Sequence, residues 1–520
     1  MRIQEWFLTD EERDNPATRL DAWTTGNDVR PLIHGATYFA ELRARIDELD
    51  ENDLLLFADW RGDPDERLTE GGPGIGEVMS GAAGRGALVR GLIWRSHLDR
   101  LRFSSAENRH LGQEIEEAGG QAILDTRTKL GGSHHQKFVI LRHDEDPAAD
   151  VAFVGGIDLC HSRRDDADHL GDPQACPMPG AYGPRPPWHD IQVRVKGPAV
   201  AEVEKVFRER WQDPAPETRD PIRWLRDHLA KMDDNPPLPD PAPPPPVAGT
   251  HAVQILRTYP AKHGGYPFAP DGERSVAHAY RKVLARARSL VYLEDQYLWS
   301  TDVIEPFAEA LRRERDLRMV IVVPRLPDQD GWLAGPASLI GRVEALNRLR
   351  SAGGDRVAIY DLENHEGTPV YVHAKACVVD DVWASVGSDN VNLRSWSHDS
   401  ELSCAVLDER EDPRPPHGAG RFARDLRLAL AAEHLDLPGE GAEVDRLCDP
   451  VAAFDAFAAA AAGLEAWHAG GRRGPRPPGR LRPHPAPELS RARKLLAMPL
   501  YRFAVDPDGR PPALRRSKGF

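Results

Sequence analysis

The run Val372-His373-Ala374-Lys375-Ala376-Cys377-Val378-Val379-Asp380 decides how this chain is read. Its apolar residues predict a buried strand that starts just after a histidine and a lysine. Strand alternation puts His373 and Lys375 on the same side. A second short strand, Trp383 to Val386, follows it. Next come the turn Gly387-Ser388-Asp389-Asn390 and then Asn392, Arg394, Ser395 and Glu401. The same arrangement stands earlier in the chain. There Ser133-His134-His135-Gln136-Lys137 runs into an apolar strand, followed by Phe153-Val154-Gly155-Gly156-Ile157-Asp158 and by Trp188-His189-Asp190. Each copy offers an imidazole, an ammonium, a small-residue turn with a polar side chain, and a later carboxylate.

These residue types suit phosphoryl chemistry without a metal or other cofactor. Two lysines can hold phosphate oxygens and neutralise charge in the transition state. One histidine can attack phosphorus and form a covalent phosphohistidine. The other can protonate the leaving alcohol and then activate water. Asp190 and Glu401 could each hydrogen-bond one histidine and fix its tautomer. A single histidine–lysine pair would read as ordinary surface. Two pairs in equivalent places, each trailed by a carboxylate, do not.

Working outward, the first copy is preceded by the apolar runs Leu54 to Trp60, Ala87 to Trp94 and Ala122 to Asp125. The second copy is preceded by Leu290 to Leu293, Met319 to Val323 and Val357 to Tyr360. Between them, Ile304, Phe307, Ala308 and Leu311 share a helical face, as do Leu339, Val343, Leu346 and Leu349. Apolar strands alternating with amphipathic helices predict an α/β fold with a largely parallel, helix-covered sheet, built as a repeated unit. The proline-dense segment Asn235 to Gly249 predicts a semi-rigid linker or surface crossover between the halves. The expected organisation is an N-terminal extension over 1–34, a first half over 35–234, the linker over 235–249, a second half over 250–437 and a C-terminal extension over 438–520. That extension is Gly-, Pro- and Arg-rich from Gly470 to Pro487, which predicts poor order or a surface course. The end, from Glu488, is expected to pack again through Leu495, Leu496, Leu500, Tyr501 and Phe503.

The formal net charge of −15 argues against a nucleic-acid track, which would show a basic groove with interleaved aromatics. Cys160, Cys176, Cys377, Cys404 and Cys448 are odd in number and widely spaced, which argues against a disulfide framework and fits a reducing compartment. No run approaches the ~18 apolar residues of a membrane span, and Val451 to Leu464 reads as a helix of a soluble protein. The expected location is cytoplasmic. His161, Asp165, Asp166, Asp168 and His169 form a polar loop that reads as solvated surface rather than a metal site. Trp188, Tyr297, Trp299, Trp383 and Trp396 are candidates for a lipid entrance, with Trp383 more at home in the core.

The segments HHQKFVIL, FVGGIDLCHSRRDDADH, PRPPWHDIQVRVKGPA, YLEDQYLW and VHAKACVVDDVWASVGSDNVNLRSWSHDSEL resemble, in this order, the phospholipase D superfamily. In motif detail they are most similar to the phosphatidylcholine-cleaving enzymes of plants and animals. The resemblance runs from about Gly35 to Leu437. It implies two α-β-α sandwich halves related by a pseudo-twofold, with the site between them. It implies that His135 is the nucleophile and His373 the general acid and base. Lys137 and Lys375 would bind phosphate, helped by Ser388 and Asn390 and, in the first-half turn, by Gly156 and Asp158. Asp190 would orient His135, Glu401 would orient His373, and Asp380 would be structural.

One departure stands out. Arg142 occupies the position of the first-motif aspartate, and Asp144 is the expected substitute in that turn. The reading is a hydrolase or transphosphatidylase for a glycerophospholipid, with transient membrane-surface contact and no stable nucleic-acid complex. The alternatives are a phosphodiesterase or nuclease for another diester, and a silent relative that binds phospholipid or protein.

Overall fold

A computed structural model describes residues 2–95, 105–215, 236–327, 334–485 and 489–520. Asn235, Pro487 and Glu488, which bounded expected segments, lie outside the described residues. The first half carries β1 (Thr24–Ile33), β2 (Leu54–Asp59), β3 (Leu88–Trp94), β4 (Gln121–Asp125), β5 (Phe138–Arg142), β6 (Val151–Gly155), β7 (Trp188–His189) and β8 (Ile191–Lys196). The second carries β9 (His251–Tyr259), β10 (Glu273–Arg274), β11 (Leu290–Asp295), β12 (Arg318–Val322), β13 (Val357–Glu363), β14 (Pro369–Val372), β15 (Lys375–Val379), β16 (Trp383–Gly387) and β17 (Glu401–Asp408). A last strand, β18 (Leu481–Pro483), pairs with β13.

Pairing gives the order β1-β8-β6-β5-β2-β3-β4 in the first sheet and β9-β17-β16-β15-β11-β12-β13 in the second. The two orders correspond strand for strand. β1 also meets β9 at Thr24↔Val253 and Asn27↔His251, where the sheets join.

The sheets are mixed, not largely parallel. Within these two orders the described parallel pairs are those of β2-β3-β4 and β11-β12-β13. Helices such as Ile75–Gly84 and Thr301–Arg313 supply the crossovers that parallel pairs need. β15 and β16 are joined by a tight turn, which can only return antiparallel. Apolar runs gave the wrong impression because these strands are covered on both faces. Leu56, Ala58, Ile140 and Val154 share one core with Tyr292, Val320, Ala376 and Val378 of the other sheet. The opposite face packs Leu55, Phe57 and Val139 on Phe39, Leu42 and Met79, and Val291, Met319 and Val379 on Tyr280, Ile304 and Phe307.

Three of the expected segments are tied into the surrounding fold. The first 34 residues are no separate extension, because they supply β1, and buried Arg13 pairs with Glu273 at 2.9 Å. The proline-rich segment is tied to the first half: the carbonyls of Pro236, Pro239 and Pro243 accept from Trp211, Arg208 and Arg142. Beyond Leu437 the helix Pro450–Ala469 forms, and β18 extends the second sheet where a loosely draped course was expected. Among the described residues no single helix is long and apolar enough to cross a membrane.

Arg142 is not in a turn. It is the last residue of β5, opposite Leu54, and buried. It pairs with Asp150 and Glu204, each at 2.8 Å. In the second half the matching Asp380 accepts from the backbone amides of Arg288, Ser289 and Leu290. Asp144 does not replace it. Asp53, at the start of β2, does this work with its own carboxylate, accepting from the amides of Asp144 and Asp50, both at 2.9 Å.

Candidate active site

The two histidine–lysine motifs open into one cleft of about 560 Å³, lined by His135 and His373 together with Asp158, Arg163, Asn390 and aromatic walls. Each histidine is positioned by a short parallel contact between the halves. His134 bridges to Ser400, and the His135 amide donates to the Ser400 carbonyl at 2.9 Å. β14 pairs with β7 through Val372↔His189, and the His373 amide donates to the His189 carbonyl at 2.8 Å. The residue after each partner is a carboxylate, so the pairs cross between halves. His135 Nδ1 lies 2.9 Å from Glu401 Oε2, and His373 Nδ1 lies 2.6 Å from Asp190 Oδ2. The expected partnership of Asp190 with His135 and Glu401 with His373 is therefore reversed. Nδ1 of each ring is engaged, which leaves Nε2 free for chemistry.

The lysines sit beneath the histidines. Lys137 Nζ donates to the His135 carbonyl at 2.8 Å and lies 3.4 Å from Asp158. Lys375 Nζ donates to the His373 carbonyl and to Gln296 Oε1. Burial lowers the Lys375 ammonium to about 8, against the pull of Asp190. Burial, with Lys375 and Arg163 adding to it, holds His373 well below its ordinary value, so its ring is neutral at rest. Burial also opposes ionisation of Asp158, but Lys137 and Arg163 outweigh it and keep the carboxylate charged. Asp59 beside it is pushed the other way, by burial and then by repulsion from Asp158.

The turns do different work in the two halves. Ser388 donates to Glu401 Oε2 at 2.5 Å and accepts from the Leu402 amide. It thus fixes the carboxylate that holds His135. Gly156 has the matching position. A Cβ there would come within 2.3 Å of Asp190 Oδ1, so only glycine leaves room for that carboxylate. Asn390 lines the cleft with a buried, unpartnered Oδ1.

Trp188, Tyr297 and Trp299 line the cleft as expected, whereas Trp383 and Trp396 are core. Sequence reasoning missed Trp60 and Trp94, stacked at 5.5 Å on one wall, and Gln296 and Tyr371. Arg163 stacks 4.0 Å over Trp188 and stands 3.6 Å from Asp158, a third cation at the cleft. The available signal was position: Trp60, Trp94 and Gln296 lie at or just past the carboxyl ends of parallel strands, where open α/β sheets bind ligands.

Among the described residues, the His161–His169 loop brings only the side chains of Asp165 and His169 together, at 3.6 Å. His161 turns to Asp65 at 3.0 Å, and Asp165 accepts from the Trp188 amide at 2.7 Å. His169 instead turns inward. The donor atoms of His34, His169, His189 and Glu433 lie within 4.8 Å of one another, as do those of His189, Glu294 and His434. Nitrogen and carboxylate donors in such a set could hold a zinc-class cation. The same groups also form an ion-pair network. Burial disfavours charge on His189, but Glu294 and Glu433 outweigh it and raise the ring to about 10. This network fixes His189, next to Asp190.

Residues 113–304 match the family model described as phospholipase D, and residues 280–412 match the one described as cardiolipin synthase, PLD-like domain. The chain is 26% identical over 492 residues to phospholipase D alpha 2 of Oryza sativa, covering 70% of this chain and 58% of that one. It is 26% identical over 395 residues to phospholipase D1 of Schizosaccharomyces pombe, covering 59% and 27%. A crystal structure of phosphatidylserine synthase from Haemophilus influenzae shares the fold, with a TM-score of 0.50, 14% identity, and 74% and 82% of the two chains covered. The chain belongs to the phospholipase D superfamily. It spans little more than half the length of the rice relative.

Proposed function

We propose that the protein is a phospholipase D-type phosphodiesterase that releases the head-group alcohol from glycerophospholipids, leaving phosphatidic acid on hydrolysis or a new phosphatidyl ester on transfer to another alcohol. The observation that carries this reading is the crossed pair of histidine–carboxylate contacts at one cleft, with a buried lysine bonded to the backbone of each histidine. The matching strand order of the two sheets supports a duplicated unit with a pseudo-twofold through this site.

His135 Nε2 attacks phosphorus while the bond to the head-group oxygen breaks. His373 Nε2–H donates its proton to that oxygen. His373 is neutral at rest; the anionic phosphodiester bound beside it raises its proton affinity, so Nε2 takes up that proton from solvent as substrate binds. Water then attacks phosphorus as the phosphorus–nitrogen bond breaks, His373 takes the water's proton, and His135 leaves as the free imidazole. Lys137, Lys375 and Arg163 supply cationic charge around the phosphate. Asn390 offers a further polar contact.

The test is incubation with a panel of phospholipids, with products read by mass spectrometry, beside a plasmid-nicking assay. Phosphatidic acid with no nicking is expected. Nicking alone, or cleavage only of soluble diesters, would sink the lipid reading. Trapping of the phosphohistidine assigns the nucleophile. An adduct on His373 that persists in His135→Ala would reverse the roles, and the low proton affinity of His373 is the observation that favours that second assignment.

A further inference from the structure

The segment Leu489 to Val505, LSRARKLLAMPLYRFAV, carries four basic residues and no acidic one, in a chain of net charge −15. Its apolar residues were expected to pack, and most do not. The helix Arg491–Leu500 continues into a wider turn, Tyr501–Val505. Ala497 and Tyr501 seat it on Ala337 and Ile340 of the helix Ala334–Gly353, and Lys494 pairs with Glu344 at 2.7 Å. With this face anchored, the other is left bare. Leu495 is 77% exposed, Leu496 65% and Phe503 84%, and Leu500 is also exposed. Arg491, Arg493 and Arg502 stand exposed among them.

The bare face is continuous with the cleft. Leu500, Ala504 and Val505 line it, and the Ala504 carbonyl accepts from Arg394, another lining residue. On the neighbouring loop Leu130 is exposed, and Lys129 donates to the Gly509 carbonyl at 3.0 Å. Large exposed apolar side chains interleaved with arginines at the rim of a phosphate-binding cleft match one kind of surface: anionic phosphates over an apolar interior. A second copy of this chain would set arginine against arginine.

We propose that residues 491–503 are a docking element that seats the cleft mouth on an anionic phospholipid surface. Leu495, Leu496 and Phe503 enter the acyl boundary, and Arg491, Arg493 and Arg502 meet the lipid phosphates. The proposal rests on the phospholipid reading of the cleft and adds how the substrate is presented to it.

The test uses the full chain in a His135→Asn background, so that binding is read without turnover. Co-sedimentation is measured with phosphatidylcholine vesicles, with and without phosphatidylglycerol. The protein should bind the anionic vesicles, more weakly as salt rises. The triple variant Leu495→Asp, Leu496→Asp, Phe503→Asp should lose at least about tenfold in binding, as should Arg491→Glu, Arg493→Glu, Arg502→Glu. With His135 restored, both variants should keep wild-type turnover of a short-chain phospholipid below its micellar concentration and lose it on vesicles. Equal vesicle binding by wild type and variants would overturn the proposal. So would concentration-dependent self-association of the wild type that the apolar variant abolishes. Vesicle binding without turnover of any phospholipid would leave the docking element standing and sink the functional reading. Monomer turnover without vesicle binding would do the reverse.

Discussion

The two histidine–lysine motifs occupy matching places in matching sheets, yet they are braced differently. In the second half, Asp380 reaches across from the end of β15 to cap three amides at the start of β11. In the first half the brace comes from the opposite strand, as Asp53, and Arg142 takes the vacated place as the centre of a buried ion-pair group. The signature aspartate is thus scaffolding, and scaffolding can be rebuilt from another side. The turns diverge in the same way. Ser388 grips Glu401, whereas Gly156 stands clear of Asp190. What both halves keep is the imidazole, the ammonium and a carboxylate from the other half.

The largest expected effect tests what is kept. His135→Asn and Lys375→Ala should each lower turnover by about a thousandfold or more with unchanged melting. Near-normal rates in either variant would break the equivalence of the motifs. Arg142→Asp tests what is rebuilt. It would restore the signature residue, but it sets a third carboxylate beside Asp150 and Glu204. Stability should fall by about 3–5 kcal/mol, read from denaturant unfolding, with the rate per folded molecule little changed. A stable variant with raised activity would mean that the chain was impaired by its arginine. The turns come next. Gly156→Ser should displace Asp190 and cost about a hundredfold in kcat. Ser388→Gly, which removes one hydrogen bond to Glu401, should cost less. The reverse ranking would contradict the roles given to the two turns.

Much of this was legible in the sequence. The histidines, the lysines, both carboxylates and the two turns are all at the cleft or bonded to a residue that is. Ten apolar strands were recognisable from their composition. Of the strands that escaped, β7, β10, β14 and β18 are only two to four residues long, and β1, β8, β9 and β17 mix polar and apolar residues, as in Ile191-Gln192-Val193-Arg194-Val195-Lys196. The pairing of these last four adds to the antiparallel part of each sheet. The crossing of the carboxylates was also hidden, because it depends on which half's backbone each motif pairs with. No spacing along one chain encodes that. The exposed face of Arg491–Leu500 escaped for a related reason: its apolar pattern looks like core until the surface it leaves uncovered is known.

The smallest effect separates the two carboxylates by pH. Lys375 is held at about 8, so its ammonium is lost as pH rises through that value. If the charged form binds the phosphate, kcat/KM should fall about tenfold per pH unit above it. Asp190 is the charge that opposes this lowering most strongly. Asp190→Asn removes that charge, favours the neutral amine, and should move the alkaline limb to lower pH. Glu401→Gln acts on His135 and should leave the limb in place while lowering the rate. The measurement is a pH–rate profile for the wild type and both variants. A limb that moves with Glu401→Gln and not with Asp190→Asn would undo the crossed assignment. A limb that moves as expected ties Asp190 to the second motif, although it belongs to the first half of the chain.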